Sequence, residues 1–343
     1  MPELITGLDV GGAHLKAAQV TPDGRIVRAM QVPCQLWRGL DRLEAALIEV
    51  EGALTPDGPV GVTMTGELVD LFADRRGGVE ALLSALVLAW PERKLAVWSG
   101  DRGFVAPENV VPEEVASANW LATAAVVAKR VGEGALVDLG STTTDIVLLT
   151  GGRPAAQATT DRDRLAAGEL VYVGLTRTPV MALTAEAPFG GRRVPLMNEL
   201  FATSADLFRV LGTLPEPVDQ HPAADNGEKT AKASARRLAR MLGADLADGS
   251  PDDWRRLAGW LAGMLLRRIE DALALQLSRG LVGEEAPLVG AGCGRFLVER
   301  LTAGRPYRDF ATLLDCDSTV SEWVSTCAPA VAVALLLAEA RRG

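Results

Sequence analysis

The stretch GALVDLGSTTTDIVLLTGG, Gly134 to Gly152, decides how this chain is read. An apolar run carries Asp138 near its end, a glycine and four hydroxyl residues follow, and Asp145 opens a second apolar run. Short apolar runs bounded by glycine are the signature of strands, so the stretch predicts a β-hairpin with a hydroxyl-lined turn. The N-terminus repeats the pattern. In ITGLDVGGAHLKAAQV, Ile5 to Val20, Asp9 stands near the end of one strand, Gly11 and Gly12 make the turn, and Lys16 lies in the next strand.

A turn of small residues exposes consecutive backbone N–H groups with no side chain in the way, and such a concavity takes phosphate oxygens. Gly11, Gly12, Ala13, His14 and Lys16 in the first hairpin are therefore candidate phosphate ligands, as are Gly140, Ser141, Thr142, Thr143 and Thr144 in the second. Asp9 and Asp138 would repel a bare phosphate, but they become useful with Mg²⁺ between carboxylate and phosphate, and they are the expected metal ligands. Strand side chains alternate, so one of His14 and Lys16 is expected to meet phosphate with the other turned away, Lys16 being favoured. Two such hairpins facing across a cleft would grip a di- or triphosphate from both sides.

A third element, APLVGAGCGRFLVERL from Ala286 to Leu301, reads as strand, glycine-rich turn and helix. Its spacing is not the dinucleotide GxGxxG. Gly290, Gly292, Cys293 and Gly294 are expected to bring backbone flat against a purine, a ribose or another planar group.

The rest of the chain alternates strand and helix signals, which points to an α/β architecture with a mixed sheet. Strands are expected near 4–10, 15–20, 25–31, 59–64, 94–99, 135–139, 145–149, 154–159 and 286–290. Helices are expected at 40–52, 78–89, 113–130, 203–211, 230–243, 252–280, 294–303 and 329–342. Ser250 followed by Pro251 and two acids is a strong helix start. Trp254 and Trp260, six apart, should fall on different faces of that helix. The Pro- and Asp-rich segment 214–229 reads as an exposed, mobile loop, with His221 on the surface. Arg162, Arg164 and Arg177 could clamp a diphosphate bidentately or be solvated loop charges.

Composition bounds the function. The chain has 343 residues, enough for roughly two domains. Its net charge is -9 without a dense basic cluster, which argues against nucleic-acid and anionic-membrane partners. Four scattered cysteines and two distant histidines offer little for a zinc site or a Cys-His dyad, and reduced buried thiols are expected. No leader segment is expected, the apolar runs are too short to span a bilayer, and a cytoplasmic protein follows.

The ordered set of a DxGG hairpin, a DxGSTTTD hairpin, a GxGxG strand–helix turn and a closing apolar helix resembles the actin/sugar kinase/Hsp70 superfamily. The strings TMTGELVDLF, SANWLATA, TDRDRLAAGELVYVGLTRTPV and VGAGCGRFL are similar to its hydantoinase/oxoprolinase-related branch, in particular to a group linked to tetrahydromethanopterin-dependent one-carbon transfer. The resemblance implies a two-lobed actin-like fold of the ribonuclease H type. Residues 1–128 and 329–343 would form one lobe and 129–328 the other. It further implies a transferase of methanofuran-type cofactor biosynthesis, joining a furanmethyl diphosphate to a phenolic acceptor and releasing diphosphate. A phenol with an ordinary pKa near 10 needs a base beside it, and Asp145, Asp161 and Glu67 are the candidates, with Lys16 assisting. An ATP-dependent kinase or hydrolase, with ATP or ADP under the glycine turn, and a non-enzymatic scaffold are the alternatives. A homodimer is compatible with the resemblance.

Overall fold

The computed structural model describes residues 3–55, 58–302 and 304–343, so parts of the expected lobes and residue 303 of the helix expected over 294–303 lie outside the described residues. The first sheet comes from β1 (Ile5–Val10), β2 (His14–Val20), β3 (Ile26–Pro33), β4 (Val60–Met64), β5 (Leu95–Trp98) and β6 (Phe104–Val105). Their order is β3-β2-β1-β4-β5-β6. The opening meander is antiparallel, whereas β4 runs parallel to β1 and β5 parallel to β4. Helices α1 (Asp41–Ala53) and α2 (Arg75–Ala89) cover one face. The chain then passes through the short α3 (Pro112–Val115) into α4 (Asn119–Val131).

The second sheet repeats the plan. It uses β7 (Gly134–Leu139), β8 (Thr144–Thr150), β9 (Arg153–Pro154), β10 (Leu170–Val171), β13 (Leu288–Ala291) and β14 (Tyr307–Asp309). β7 and β8 are an antiparallel hairpin, and β13 lies parallel to β7 as β4 does to β1. Helix α5 (Asp161–Ala167) leads into β10, and a separate small hairpin pairs β11 (Glu186–Phe189) with β12 (Arg192–Pro195). Helices α6 (Ser204–Leu211), α7 (Ala231–Met241) and α8 (Pro251–Leu277) pack on this lobe, and α9 (Arg295–Val298) follows the glycine turn. α10 (Ser321–Thr326) and α11 (Ala328–Ala340) close the chain.

One apolar cluster joins the two sheets. α11, APAVAVALLLAEA, is buried on nearly every side, so it lacks the polar face of a surface helix. Its small residues let it lie against β1, where a Cβ on Gly7 would collide with the Ala330 carbonyl. α4 packs beside it, and both share a core with Leu136, Val147 and Val289 of the second sheet. A boundary at residues 128/129 therefore falls inside α4, a helix whose side chains serve both sheets. Among the described residues no helix is long and apolar enough to cross a membrane.

Three local expectations are corrected. The helix expected over 113–130 is broken at 116–118, where Ser117 adopts φ 53°. The strand expected over 154–159 shrinks to Arg153–Pro154, because the Glu169 carboxylate takes the amide protons of Gln157 at 2.7 Å and Ala158 at 3.3 Å. The segment 214–229 is tied down. Gln220 donates to the Gln31 carbonyl at 3.0 Å, and His221 is half-buried against His14, with ring centroids 4.6 Å apart. Trp254 is fully buried while Trp260 is 36% exposed, as their different faces require.

Candidate active site

The two hairpins are built to one pattern. In each, the aspartate near the end of the first strand lies directly across the ladder from the residue seven positions on: Asp9 faces Lys16, and Asp138 faces Asp145. Each turn is closed by the same bond, Gly11 N–H to the His14 carbonyl at 3.0 Å and Gly140 N–H to the Thr143 carbonyl at 2.9 Å. The turn carbonyls are held by the body of the protein. Gly12 and Ala13 accept from Leu36 and Cys34, Gly140 accepts from Leu175, and Ser141 accepts from Thr176 and Arg177. Among the described residues, no acceptor takes the amide protons of Gly12, Ala13, Ser141, Thr142 or Thr143. Unused N–H groups on two facing turns are an anion cradle.

Both turns open on one cavity of about 520 Å³ between the sheets. Lys16 and His14 both line it, which corrects the expectation that one turns away: residues two apart share a strand face. Lys16 Nζ stands 3.5 Å from Asp9 Oδ2. Burial works against the ammonium charge, but the carboxylates of Asp9 and Asp138 outweigh it and hold Lys16 above the ordinary lysine value. Asp145 is gripped by Arg164, whose Nη1 lies 2.6 Å from Oδ1 and whose guanidinium stacks 3.9 Å over the Trp120 ring. Arg164 is thus a fully buried structural clamp on a carboxylate.

Burial pushes the Asp138 carboxyl up to about 7, with Asp145 and Asp9 adding to the rise and Lys16 opposing it. Its ordinary value is 3.8, so the fold favours the protonated form. Asp138 therefore contributes fully at low pH and subtracts stability as pH rises toward 7. Asp138→Asn should melt at a higher temperature than the parent at pH 8, with the gap closing toward pH 4, as thermal unfolding across that range would measure.

Several expected ligands sit elsewhere. Thr144 turns into the core and donates to the Val173 carbonyl at 2.8 Å. Arg162 is 92% exposed and pairs with its neighbour Asp163. Asp138 and Glu67 are buried behind the cavity wall and do not line it. The glycine motif also lies off the wall. At Gly292, with φ +81°, a Cβ would collide with the Leu139 carbonyl and the Asp138 carboxylate; one on Gly294 would strike the Leu139 side chain. One on Gly290 would strike Tyr307, so in this fold the motif serves close packing of protein on protein. Burial pushes the Cys293 thiol up to about 12, which leaves it unreactive.

The cavity wall also holds residues that motif reading had not placed in the site. Asn119 and Trp120 open α4 beside it, Ser117 precedes them, and Trp37, Leu68, Val69, Leu170 and Tyr172 supply an apolar rim. The signal was the string SANW, whose small and polar residues break an otherwise apolar helix. Arg177 is the cation of the second turn. Its Nη1 is 3.4 Å from Thr142 Oγ1, its guanidinium lies 4.6 Å over Trp37, and among the described residues it has no carboxylate partner. A half-buried guanidinium without a counter-ion beside free amides is chemically suited to an anion.

A magnesium ion fits this setting only with help from a ligand. Among the described residues no group of three or more His, Cys, Asp and Glu is placed to hold a metal. Asp9, however, lines the cavity and its buried Oδ1 has no hydrogen-bond partner. Mg²⁺ commonly takes one or two carboxylates and completes its shell with water and substrate phosphates. Asp9 can serve that role, with Asp138 buried behind it.

Comparison with known proteins places the chain among relatives. The hydantoinase/oxoprolinase family profile matches residues 59–340. A curated protein of Methanocaldococcus jannaschii, (4-{4-[2-(gamma-L-glutamylamino)ethyl]phenoxymethyl}furan-2-yl)methanamine synthase, is 29% identical over 340 residues, covering 98% of both chains. Among solved structures, nucleotide-free acetone carboxylase superposes with TM-score 0.56 at 11% identity, over 96% of this chain and 70% of that one. A ROK family glucokinase from Streptomyces griseus gives TM-score 0.47 at 14% identity, over 99% of this chain and 100% of that one. The fold is the two-lobed, mixed-sheet α/β fold that the family resemblance implied.

Proposed function

Since the chain belongs to the hydantoinase/oxoprolinase family, we propose that it is a transferase of methanofuran-type cofactor assembly, forming an aryl ether from a furanmethyl diphosphate and a phenol with loss of diphosphate. The observation that carries this reading is a single cavity in which two amide-lined turns and the unpaired Arg177 face an apolar rim of Leu68, Val69, Leu170 and Tyr172. The polar end suits a diphosphate, and the rim suits two flat rings. The name of the M. jannaschii relative supplies the furan and phenoxymethyl parts of the product.

The residues divide the work. The phenol oxygen forms the new bond to the methylene carbon, its proton passes to a carboxylate, and the bond to diphosphate breaks with its electron pair leaving on oxygen. The turn amides and Arg177 hold the departing diphosphate, and Lys16 brings a fixed positive charge to the cavity floor. Donors already in place where charge develops need no reorganisation during the reaction. Mg²⁺ held at Asp9 would neutralise part of the diphosphate charge. Trp37 and the half-buried His221 stack near the first turn and help keep water from the carbon under attack.

The direct test is to incubate the protein with the furanmethyl diphosphate, Mg²⁺ and tyrosine, tyramine or γ-glutamyltyramine, and to look for the coupled mass and released diphosphate. A control with ATP in place of the diphosphate reports any kinase activity. Absence of product with every phenol defeats the proposal. Within it, Arg177→Ala should raise KM for the diphosphate roughly 10–100-fold, the loss expected for a hydrogen bond to a charged group. Arg162→Ala, on the solvent side, should leave KM within about twofold, and steady-state kinetics separates the two.

A further inference from the structure

The three carboxylates considered as base are not equivalent. Asp145 is locked by Arg164, as described above. Asp161 lines the cavity, and its Oδ2 accepts from Arg75 Nη2 at 3.0 Å and from Ser117 Oγ at 3.0 Å. Its Oδ1 has no protein partner among the described residues. Glu67 lies behind it, 1% exposed, with Oε1 2.7 Å from the same Ser117 Oγ.

A hydroxyl carries one proton and can donate it to one acceptor. Ser117 sits within hydrogen-bond distance of two carboxyl groups, so one of the two must itself be the donor. Asp161 is paired with the Arg75 guanidinium at 3.0 Å, whereas among the described residues Glu67 has no cation paired with it. The remaining oxygen of Glu67, Oε2, is buried with no partner, a position in which a charged oxygen would be severely destabilised. Burial also raises the Glu67 carboxyl above the ordinary glutamate value. The backbone points the same way. Ser117 is buried in the left-handed region at φ 53°, a conformation that costs a serine about 1 kcal/mol or more and that recurs where a side chain must be aimed.

Resting on the proposed ether synthesis, we infer that Asp161 is the base that takes the phenolic proton and that Glu67 is a neutral carboxylic acid positioning it through Ser117. The chain runs from Glu67 O–H to Ser117 Oγ, and from Ser117 O–H to the Asp161 carboxylate. Glu67 does not exchange its proton in the reaction. By donating to Ser117 it turns the serine proton toward Asp161 and holds Oδ1 on the cavity side. During turnover the phenol proton moves to Asp161 Oδ1, the ether bond forms, diphosphate leaves, and Asp161 returns its proton to solvent.

The test has a spectroscopic arm and a kinetic arm. In difference infrared spectra at pH 7, the parent minus Glu67→Gln should show the carbonyl band of a protonated carboxylic acid. No such band overturns the inference, and this arm holds whether or not ether synthesis is the reaction. In the coupling assay, Glu67→Gln, whose amide can donate to Ser117 as the acid does, should keep kcat within about threefold. Glu67→Leu, which cannot donate, should lose roughly tenfold in kcat with KM for the diphosphate unchanged. Asp161→Asn should lose at least 100-fold in kcat. Equal loss in Glu67→Gln and Asp161→Asn, or near-parent activity in Asp161→Asn, overturns it. If Asp161→Asn does not fold, Asp161→Glu with the same loss and a parent-like melting profile supports the assignment, and full activity in it defeats the assignment. A parent enzyme inactive with every phenol, yet showing the acid band, separates failure of the proposed function from failure of the carboxyl assignment.

Discussion

Lys16→Met should cripple ether formation, with kcat down roughly 100- to 1,000-fold, while the protein still folds near pH 5. Lys16 is paired with Asp9 at 3.5 Å and also feels the Asp138 carboxyl behind it. It lines the cavity floor beneath both turns. Methionine preserves the stem and removes the charge, so a diphosphate would enter a site whose nearest fixed charges are carboxylates. Loss of a single well-placed electrostatic donor costs about 2.7–4 kcal/mol in comparable sites, and here the neighbouring Asp9 carboxylate adds repulsion. The same change leaves two buried carboxylates without a counter-ion. Removing one partner of a buried pair typically costs about 3–5 kcal/mol, and the carboxyls can relieve that by taking protons. The stability loss should therefore be large at pH 8 and shrink toward pH 5, as urea denaturation at the two values would show. Turnover within tenfold of the parent would contradict the role given to Lys16.

Arg164→Ala carries the second large effect, chiefly on stability. The guanidinium is 1% exposed, donates to Asp145 at 2.6 Å and to the Glu169 carbonyl at 3.0 Å, and stacks on Trp120. Alanine opens a cavity, removes the stack and leaves the largely covered Asp145 opposite Asp138 on the neighbouring strand without its partner. A destabilisation of about 3–5 kcal/mol is expected from the broken buried pair. The double variant Arg164→Met with Asp145→Leu should recover a good part of it, because an apolar pair of similar volume needs no desolvation. Denaturant midpoints of the single and double variants decide the matter. A single-variant loss below about 1 kcal/mol would mean that the pair is solvated in solution.

The split between Lys16 and Arg164 shows where sequence reading succeeds. Asp9 and Lys16, and Asp138 and Asp145, stand seven apart in hairpins of equal loop length, so the ladder places each pair face to face without reference to the rest of the chain. The turns were legible for the same local reason. Arg162 and Arg164 were not separable: both follow the second hairpin by similar distances, yet α5 sends one to solvent and the other into the core. The glycine motif illustrates the converse. Its composition permits a ligand to approach, and the ligand it admits in this fold is the end of β7. His221 looked like a surface residue because its segment is rich in proline and aspartate, but that segment is bound to the first lobe by Gln31 and Gln35.

Periodicity, turn chemistry and the recurrence of one hairpin determined by themselves that this is an α/β chain with a mixed sheet and two amide-lined turns, since those features depend on residues a few positions apart. Tertiary structure alone decided which charges the turns share, that among the described residues Arg177 stands without a counter-ion, and that Ser117 joins Glu67 to Asp161. The physical reason is range. Backbone geometry is set by neighbours along the chain, whereas the field and the hydrogen-bond partners at a buried site are set by groups 44 to 50 positions away that packing brings within 3.0 Å.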